Sequence, residues 1–293
     1  MLENFLLKNK IDFVMNKPLS TLTSMGVGGK AKWVVYPKSR SQLVLVVKFC
    51  RQINQKFYLL GGGTNVIACD KGFDGVVIAT TKVSKTKRIF NTVLVDAGTP
   101  TAKLALNLQK WGLGGGEFCC CIPGTVGGAV VGNAGCFGKS FSDLVQKVWI
   151  FDGQKVKVLT NAQCLFDYRT SIFQFENWTL LKIQLKFAPK SKKRIKEEMQ
   201  SLKVYKARSQ PTMCRSSGCI FRNGSQPSAK LIDKALLKGY RINKAQVSVV
   251  HAGFIVNLGG AKASDVLDLI THVKTVVKEK YGVTLKEEVR ILK

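Results

Sequence analysis

The longest uncharged stretch of this basic chain runs from Phe118 to Gly138, and it limits what the chain can fold into. Its 21 consecutive positions carry no charged residue, which is about the length that an α-helix needs to cross a bilayer. Six of these residues are glycine, and Pro123 and Asn133 are also present, so the stretch would form a poor helix in lipid. We therefore predict a buried glycine-rich loop in a folded, soluble protein that has no membrane partner.

The numbers and spacing of cysteine and histidine limit which redox compartment and which metal sites can be expected. Nine cysteines are scattered along the 293 residues, and three of them are adjacent at Cys119, Cys120 and Cys121. No C-x-x-C pair is present and only two histidines occur, so we expect no metal site. Reduced thiols in a cytoplasm fit this pattern. The start, MLENFLLKNK, carries Glu3 and lacks a long apolar run, so we expect no signal peptide there.

The charge balance points to anionic partners. Lysine and arginine number 46 against 18 aspartates and glutamates, which gives a formal net charge of +28. Such a field attracts nucleic acid, an anionic membrane surface or phosphorylated small molecules. The densest run lies between Lys182 and Arg208 and includes KSKKRIK; a solvated helix face or a linker explains it equally well. No aromatic RNA-binding signature accompanies the run, so nucleic acid is the minor alternative.

The first third of the chain alternates strands and helices. Its predicted elements are a strand at Lys32–Tyr36, a helix capped by Ser39 or Ser41, strands at Phe57–Leu60, Gly75–Ile78 and Val93–Val95, and a helix from Thr101 to Trp111 that ends at Gly112. A hairpin turning at Asp152-Gly153 and a strand from Trp178 to Phe187 follow. The main domain boundary is placed after Pro189.

The last part of the chain contains a well-marked helix. Ser264 is the expected cap and Gly282 the expected end. The apolar residues fall on one helical face. They are Val266, Leu269, Ile270, Val273 and Val277. His272 lies among them and is interpreted as structural.

Two glycine-rich segments favour a phosphate-bearing ligand. Gly61-Gly62-Gly63-Thr64-Asn65 leaves a predicted strand, where backbone amides can converge on an anion. The turn is not G-x-G-x-x-G, because Val66 stands at the third glycine position. Gly138-Lys139-Ser140 ends like a P-loop, but Asn133 occupies the position of its first glycine. Two uncharged glycine segments about 60 residues apart suit a dinucleotide such as FAD.

Seven segments, in this order, resemble the UDP-N-acetylenolpyruvoylglucosamine reductase family, in its shorter form. They are LTSMGVGGKAKWVVYP from Leu22, LGGGTNVIACDKGFDGVVI from Leu60, GGEFCCCIPGTVGGAVVGNAGCFG from Gly115, FDYRTSIF from Phe166, SSGCIFRN from Ser216, HAGFIVN from His251 and YGVTLKEEVRIL from Tyr281. The resemblance implies a mixed α+β and α/β fold, with a two-lobed FAD-binding module of the vanillyl-alcohol-oxidase type and an α/β substrate-binding domain. The expected boundaries are an N-terminal segment over 1–23, the FAD module over 24–190 with lobes at about 24–80 and 81–190, and the substrate domain over 191–293.

The same resemblance implies a flavoenzyme of bacterial peptidoglycan synthesis, and so of cell shape and division. NADPH would reduce FAD, and UDP-N-acetylglucosamine enolpyruvate would then take hydride from flavin N5 at its C3, giving UDP-N-acetylmuramate. The implied FAD contacts are Gly61, Gly62, Gly63, Thr64, Asn65, Ile122, Pro123, Gly124, Thr125, Gly128 and Ala129. The protein would be cytoplasmic, and we expect a monomer.

Three residues take catalytic roles by this resemblance. Arg169 would neutralise the enolate that hydride addition creates, and Glu288 would help to stabilise the enol form. The family's proton donor to C2 is a serine, and this chain has Cys219 in its place. A thiol, with an ordinary pKa of about 8.5, is more acidic than an alkyl hydroxyl, so Cys219 can serve as donor from what reads as a flexible basic turn.

Substrate binding is assigned on weaker grounds. Tyr168 and Asn223 are assigned by their motifs, and Arg208 and Arg215 by charge alone, for the UDP diphosphate. Two alternatives stay open from the sequence. The first is another FAD-dependent oxidoreductase of the same fold, and the second is a basic polyanion-binding protein.

Overall fold

The structure, a computed structural model, describes residues 1–293 and divides into two compact units. Unit 1 comprises Met1–Met15, Trp33–Gly62 and Gly75–Val204. Unit 2 comprises Asn16–Lys32, Gly63–Asp74 and Tyr205–Lys293. Each unit is therefore assembled from segments that are distant in the sequence.

Seven α-helices are interspersed with runs of consecutive strands. The α-helices are α1 (Leu2–Lys8), α2 (Arg40–Gln52), α3 (Thr101–Trp111), α4 (Val126–Val131), α5 (Lys192–Ser209), α6 (Ser228–Lys234) and α7 (Ala263–Tyr281). The strands are β1 (Asp12–Pro18), β2 (Lys30–Tyr36), β3 (Phe57–Leu60), β4 (Val66–Ala68), β5 (Phe73–Ala79), β6 (Thr86–Ile89), β7 (Thr92–Asp96), β8 (Leu113–Gly114), β9 (Gly135–Cys136), β10 (Lys139–Ser140), β11 (Val145–Phe151), β12 (Val156–Thr160), β13 (Thr179–Lys186), β14 (Ala188–Pro189), β15 (Arg215–Cys219), β16 (Arg241–Ile242), β17 (Ala245–Val247), β18 (Phe254–Asn257) and β19 (Arg290–Leu292).

Three larger sheets organise these strands. One has the order β1-β2-β5-β3, with β3 and β5 parallel. The second, β12-β11-β13-β7-β6, is antiparallel throughout and lies in unit 1. The third, β15-β18-β17-β16, is antiparallel and lies in unit 2. The short parallel pair of β19 and β4 also belongs to unit 2.

Local signals set several of the predicted element ends. Ser39 caps α2, because its hydroxyl accepts a hydrogen bond from the Gln42 N–H at 3.2 Å. Helix α3 ends at Gly112, whose φ of 65° is the left-handed conformation that glycine adopts most easily. The turn between β11 and β12 is closed by Asp152, whose Oδ1 accepts from two following backbone N–H groups at 2.8 Å. These three predictions are confirmed.

The uncharged stretch at 118–138 is buried in part but is not a continuous loop. Residues 126–131 form α4, and its side chains Val126, Ala129 and Val130 are buried in an apolar core of unit 1. The Thr125 hydroxyl accepts from the Gly128 N–H at 3.3 Å and so caps this helix. The loop prediction is therefore wrong for these six residues: capping and core packing outweigh the low helix propensity of two glycines.

Helix α7 supplies much of the apolar core of unit 2. All five predicted face residues are buried, and Gly282 ends the helix with a φ of 68°. The predicted cap is wrong, because the helix begins at Ala263 and Ser264 lies inside its first turn. The Asp70 carboxylate accepts from the N–H groups of Ala263 and Ser264 at 2.8 and 2.9 Å.

The basic run after Pro189 forms helix α5 rather than a linker. Only Ile195 and Met199 of this helix are buried, while its lysines and arginines are mainly exposed. The run is therefore a solvated helix face. None of the helices combines the length and the apolar character needed to cross a membrane.

Candidate active site

The two glycine-rich segments meet within unit 1. A Cβ atom at Gly62 would lie 2.6 Å from the Cα of Gly124, and one at Gly61 would lie 2.5 Å from the Thr125 Oγ1. Real Cβ atoms do not approach other atoms so closely, so position 62 requires glycine against this backbone, and a Cβ at position 61 would displace the Thr125 hydroxyl. The contact brings together two segments that are about 60 residues apart in the sequence.

Backbone hydrogen bonds hold the second segment in place. The Thr101 N–H donates to the Gly124 carbonyl at 3.1 Å, and its hydroxyl donates to the Ile122 carbonyl. The Gly127 N–H donates to the Ala97 carbonyl at 2.7 Å, just after β7. Helix α3 and the end of β7 therefore fix the course of residues 122–129.

These residues fit an FAD diphosphate on two grounds. Backbone that carries no side chains can approach a large anion closely, and Gly61, Gly62 and Gly124 supply such backbone. The segment from Phe118 to Gly138 contains no carboxylate that would repel the phosphates. Pro123 and Gly128 are exposed beside this backbone.

The rest of the first glycine turn belongs to unit 2. Gly63 has a φ of 65°, and a Cβ there would collide with the Leu22 carbonyl oxygen. The Ser24 N–H donates to the Gly63 carbonyl at 3.0 Å. The Asn65 Nδ2 donates to the Glu288 carbonyl at 3.1 Å, and the Arg290 N–H donates to the Asn65 carbonyl at 3.0 Å. Asn65 therefore anchors the backbone on both sides of Val289.

Cys219 lies at the end of strand β15 and not in a flexible turn. The strand pairs with β18, with Ser216 opposite Val256 and Cys219 opposite Phe254, and the register shifts between these two pairs. At the shift, Gly218 has a φ of 77° and open space where a Cβ would stand, as in a β-bulge that re-aims a neighbouring side chain. The turn expectation is wrong, because pairing with β18 makes residues 215–219 a bulged strand.

Glu288 is held next to the Cys219 strand by its backbone. The Glu288 N–H donates to the carbonyl of Ile220 at 2.8 Å, and Ile220 directly follows Cys219. The Arg222 N–H donates to the Lys286 carbonyl at 2.9 Å. The predicted proton donor and the predicted glutamate thus lie on two paired segments of unit 2.

The neighbouring glutamate has a different environment. Glu287 forms an ion pair with Lys274 at 2.7 Å. Burial opposes ionisation of Glu287, but the Lys274 hydrogen bond, a backbone hydrogen bond and the Lys274 charge outweigh it and hold its pKa below the usual value. Glu287 is therefore held in an ion pair with Lys274.

Arg169 lies in a constrained turn of unit 1. Its φ is 55°, a left-handed conformation that is rare for a residue with a side chain. The Arg169 Nη2 donates to the Gly135 carbonyl at 2.9 Å, and the Gln174 Nε2 donates to the Arg169 carbonyl at 2.9 Å. Tyr168 is 50% exposed, with the guanidinium carbon 5.5 Å from its ring centroid. Arg169 is thus half-buried and fixed, unlike an ordinary surface arginine.

The predicted diphosphate ligands differ in how firmly the structure holds them. Asn223 Oδ1 accepts from the Ser228 N–H at 3.0 Å and so supports the start of α6. The Arg215 side chain lies against Gly26, within 2.9 Å of where a Cβ would stand. Arg208 is exposed on α5.

Sequence reasoning treated Asn133 only as a mismatch to a P-loop. The structure gives this buried residue a positioning contact near Arg169. Its Nδ2 donates to the Asp167 carbonyl at 3.0 Å, and its Oδ1 accepts from the Ser142 N–H at 3.0 Å. Its φ is 39°. An asparagine among glycines favours this left-handed conformation, which is the signal that could have identified it.

The adjacent cysteines precede the second glycine segment and are largely structural. Cys119 and Cys121 are buried, and the Cys120 and Cys121 sulfurs lie 3.6 Å apart. Burial raises the pKa of Cys120 to about 12. None of the nine cysteines forms a disulfide.

Comparison with known proteins decides the family. A family model described as "UDP-N-acetylenolpyruvoylglucosamine reductase, C-terminal domain" matches residues 210–292, and one described as "FAD binding domain" matches residues 31–157. A UDP-N-acetylenolpyruvoylglucosamine reductase of Bacillus subtilis is 40% identical over 281 residues, which cover 94% of this chain and 93% of the relative. The chain belongs to the UDP-N-acetylenolpyruvoylglucosamine reductase family.

Further matches agree with membership of the UDP-N-acetylenolpyruvoylglucosamine reductase family. A reductase of the same name from Caldanaerobacter subterraneus subsp. tengcongensis is 37% identical over 283 residues, covering 95% of this chain and 93% of the relative. The crystal structure of the reductase from Thermus caldophilus is 30% identical, has a TM-score of 0.81, and covers 97% of this chain and 99% of its own. A berberine bridge enzyme variant is 14% identical with a TM-score of 0.52, covering 66% of this chain and 44% of its own, which shows a shared fold.

Proposed function

We propose that the chain reduces UDP-N-acetylglucosamine enolpyruvate to UDP-N-acetylmuramate at the expense of NADPH, as an FAD-dependent enzyme of peptidoglycan precursor synthesis. The observation that carries the proposal is the pairing of residues 219–222 with 286–289 beside Asn65. This pairing holds a thiol and a carboxylate next to the end of the glycine turn. Bound FAD supplies the two-electron chemistry that accepts hydride from NADPH and passes hydride to the enolpyruvyl group.

The glycine cradle would hold FAD. Gly61, Gly62 and Gly124 present backbone without side chains. The remaining predicted contacts are Gly63, Thr64, Asn65, Ile122, Pro123, Thr125, Gly128 and Ala129. Three half-buried residues then act on the substrate: Arg169 neutralises negative charge on the enolpyruvyl carboxylate and C2, Glu288 stabilises the enol form, and Cys219 donates a proton to C2.

This scheme accounts for the hydride and for the proton that the reduction requires. Hydride adds to C3 and the Cys219 proton adds to C2, so the double bond becomes a single bond. The thiolate that remains takes a proton from solvent before the next turnover. A thiol can fill the family's serine position because it loses its proton more readily than a hydroxyl; the cost is sensitivity to oxidation.

Substrate contacts complete the proposal. Tyr168, Asn223, Arg208 and Arg215 are proposed to bind the UDP-sugar, with the arginines at the diphosphate. The proposed domain division is an FAD module over 24–190 and a substrate domain over 191–293. We also propose that the protein is a monomer and that it works in the cytoplasm. A reducing compartment is consistent with nine cysteines that form no disulfide.

The test separates the two half-reactions under anaerobic conditions. NADPH should bleach the flavin spectrum of the purified protein, and UDP-N-acetylglucosamine enolpyruvate should restore it. Cys219→Ala should slow the restoration by about 10²- to 10⁴-fold while leaving the bleaching intact, and Cys219→Ser should remain active. Unchanged restoration in the alanine variant excludes Cys219 as donor. A flavin that bleaches but is restored by another acceptor identifies a different oxidoreductase of this fold.

A further inference from the structure

The imidazole of His251 is linked to the Cys219 strand by two successive hydrogen bonds. The Gly253 N–H donates to His251 Nδ1 at 3.1 Å. The Ile220 N–H in turn donates to the Gly253 carbonyl at 2.9 Å. The ring is thus connected, through Gly253, to the peptide that immediately follows Cys219.

Packing ties the same ring to the residue opposite Cys219. The His251 ring meets Phe254 edge-on, with centroids 5.0 Å apart and an interplanar angle of 76°. Phe254 is the β18 partner of Cys219. A Cβ at Gly253 would lie 3.0 Å from the His251 Cε1, so ring and backbone are in close contact.

The bulge explains why this support matters. Between Ser216 and Cys219 the β15–β18 register shifts, so regular strand pairing alone does not set the direction of the Cys219 side chain. The pairing resumes at Cys219 and Phe254, and the next peptide is held through Gly253. A turn that moved at 251–253 would move the thiol with it.

We infer that His251 is a positioning residue for the proton-donating thiol of Cys219, acting through the hydrogen bond that its Nδ1 accepts from Gly253. This inference rests on the proposed function of Cys219. The ring must be neutral at Nδ1 to accept from Gly253. Burial lowers the pKa of His251, which agrees with a neutral acceptor at neutral pH.

Two substitutions separate the acceptor from the packing. His251→Phe keeps an aromatic ring against Phe254 but removes the acceptor. His251→Asn removes the ring, but an asparagine Oδ1 can accept from the N–H two residues on, as in an Asx turn. His272→Ala is the matched control, because this second histidine of unit 2 is stacked on Tyr240 instead, with centroids 4.2 Å apart.

The first measurement follows both half-reactions of the FAD-loaded protein. We expect His251→Phe to slow flavin reoxidation by the enolpyruvyl sugar about tenfold to a hundredfold, the scale of a small misplacement of a catalytic group. Reduction by NADPH should be unchanged, and His251→Asn and His272→Ala should stay close to the parent. Equal losses in the phenylalanine and asparagine variants, or no loss in the phenylalanine variant, would overturn the inference.

The second measurement needs no turnover. Iodoacetamide alkylation of Cys219 is followed by peptide mass spectrometry, with exposed Cys214 as internal control. Trypsin cleaves after Arg215 and so places the two cysteines in different peptides. The ratio of Cys219 to Cys214 labelling should change several-fold in His251→Phe and not in His251→Asn. An unchanged labelling ratio in His251→Phe would count against positioning of the thiol by His251. Unchanged flavin reoxidation in Cys219→Ala would instead refute Cys219 as the proton donor.

Discussion

The side-chain amide of Asn65 donates a hydrogen bond to the backbone carbonyl of Glu288 across 3.1 Å. The two residues are 223 positions apart in the sequence, yet the contact joins the end of the glycine turn to the predicted catalytic glutamate. The Arg290 N–H returns a bond to the Asn65 carbonyl at 3.0 Å. One side chain therefore links the first glycine turn to the backbone of the predicted catalytic glutamate.

Asn65→Asp tests this link with almost no change in size. It replaces the donor by a carboxylate oxygen that repels the Glu288 carbonyl, so the backbone at Glu288 should shift. We expect flavin reoxidation by the enolpyruvyl sugar to fall about tenfold to a hundredfold in protein saturated with FAD, measured by stopped-flow absorbance. Asn177→Asp, on the exposed surface of unit 1, is the control. Parental reoxidation in the Asn65 variant would show that the contact does not place Glu288.

Gly62→Ala tests the glycine cradle. The added Cβ meets the backbone of Gly124 at 2.6 and 3.2 Å, which no side-chain rotation can relieve. We expect a loss of about 1–3 kcal/mol of stability together with weaker FAD retention, measured by thermal unfolding and the ratio of flavin to protein absorbance. Gly224→Ala, where a Cβ would have no atom within 4 Å, should leave both values unchanged. Equal FAD retention in the two variants would contradict the cradle.

Much of the secondary structure could be predicted because its signals are local. Ser39, Gly112 and Asp152 act within a few residues of themselves, and the periodic apolar face of α7 identified its buried side. Each of these signals depends on backbone geometry that a short window of sequence contains.

Two of the errors share a physical cause, which is pairing between distant segments. The 214–223 segment has the composition of a turn, but β18 pairs with residues 215–219 and makes them a strand. The first turn of α7 is bound by Asp70, 193 positions before Ala263, so the local Ser264 signal was misleading. The contacts of Asn65 and Asn133 arise in the same way, and no spacing rule reveals them. The roles of Arg169, Cys219 and Glu288 come from family resemblance and stay predictions.

The adjacent glutamates should separate in function and in pH dependence. Glu288→Gln should slow flavin reoxidation about 10²- to 10⁴-fold, while Glu287→Gln should leave it close to the parent because Glu287 pairs with Lys274.

The pKa of Glu287 is lowered in the folded state, so its stabilising effect is present above the unfolded value near 4.5 and is lost as the pH falls through the folded value. Denaturant unfolding from pH 6 to pH 3 should show a shallower acid loss in Glu287→Gln, by about 0.5 kcal/mol for a partly exposed pair. Equal slopes would refute the ion-pair account, and a large activity loss in Glu287→Gln would refute the division of roles.

Asp70 and Ser264 are the two candidate caps for the start of α7, and substituting each should have a different effect on stability. The Asp70 carboxylate accepts from two first-turn N–H groups, at Ala263 and Ser264, and a negative charge is favourable at a helix N-terminus. Burial opposes its ionisation, but the two amide hydrogen bonds, a hydrogen bond from the Ser264 side chain and the charge of Lys262 lower its pKa. We expect Asp70→Ala to cost about 1–2 kcal/mol of unfolding free energy at neutral pH and Ser264→Ala less than about 0.5 kcal/mol, by urea unfolding. The difference should shrink as the pH falls below the unfolded aspartate pKa of 3.8 and through the lower folded value, where the folded parent carboxylate becomes protonated. A larger loss of unfolding free energy in Ser264→Ala than in Asp70→Ala would show that Ser264, and not Asp70, caps α7.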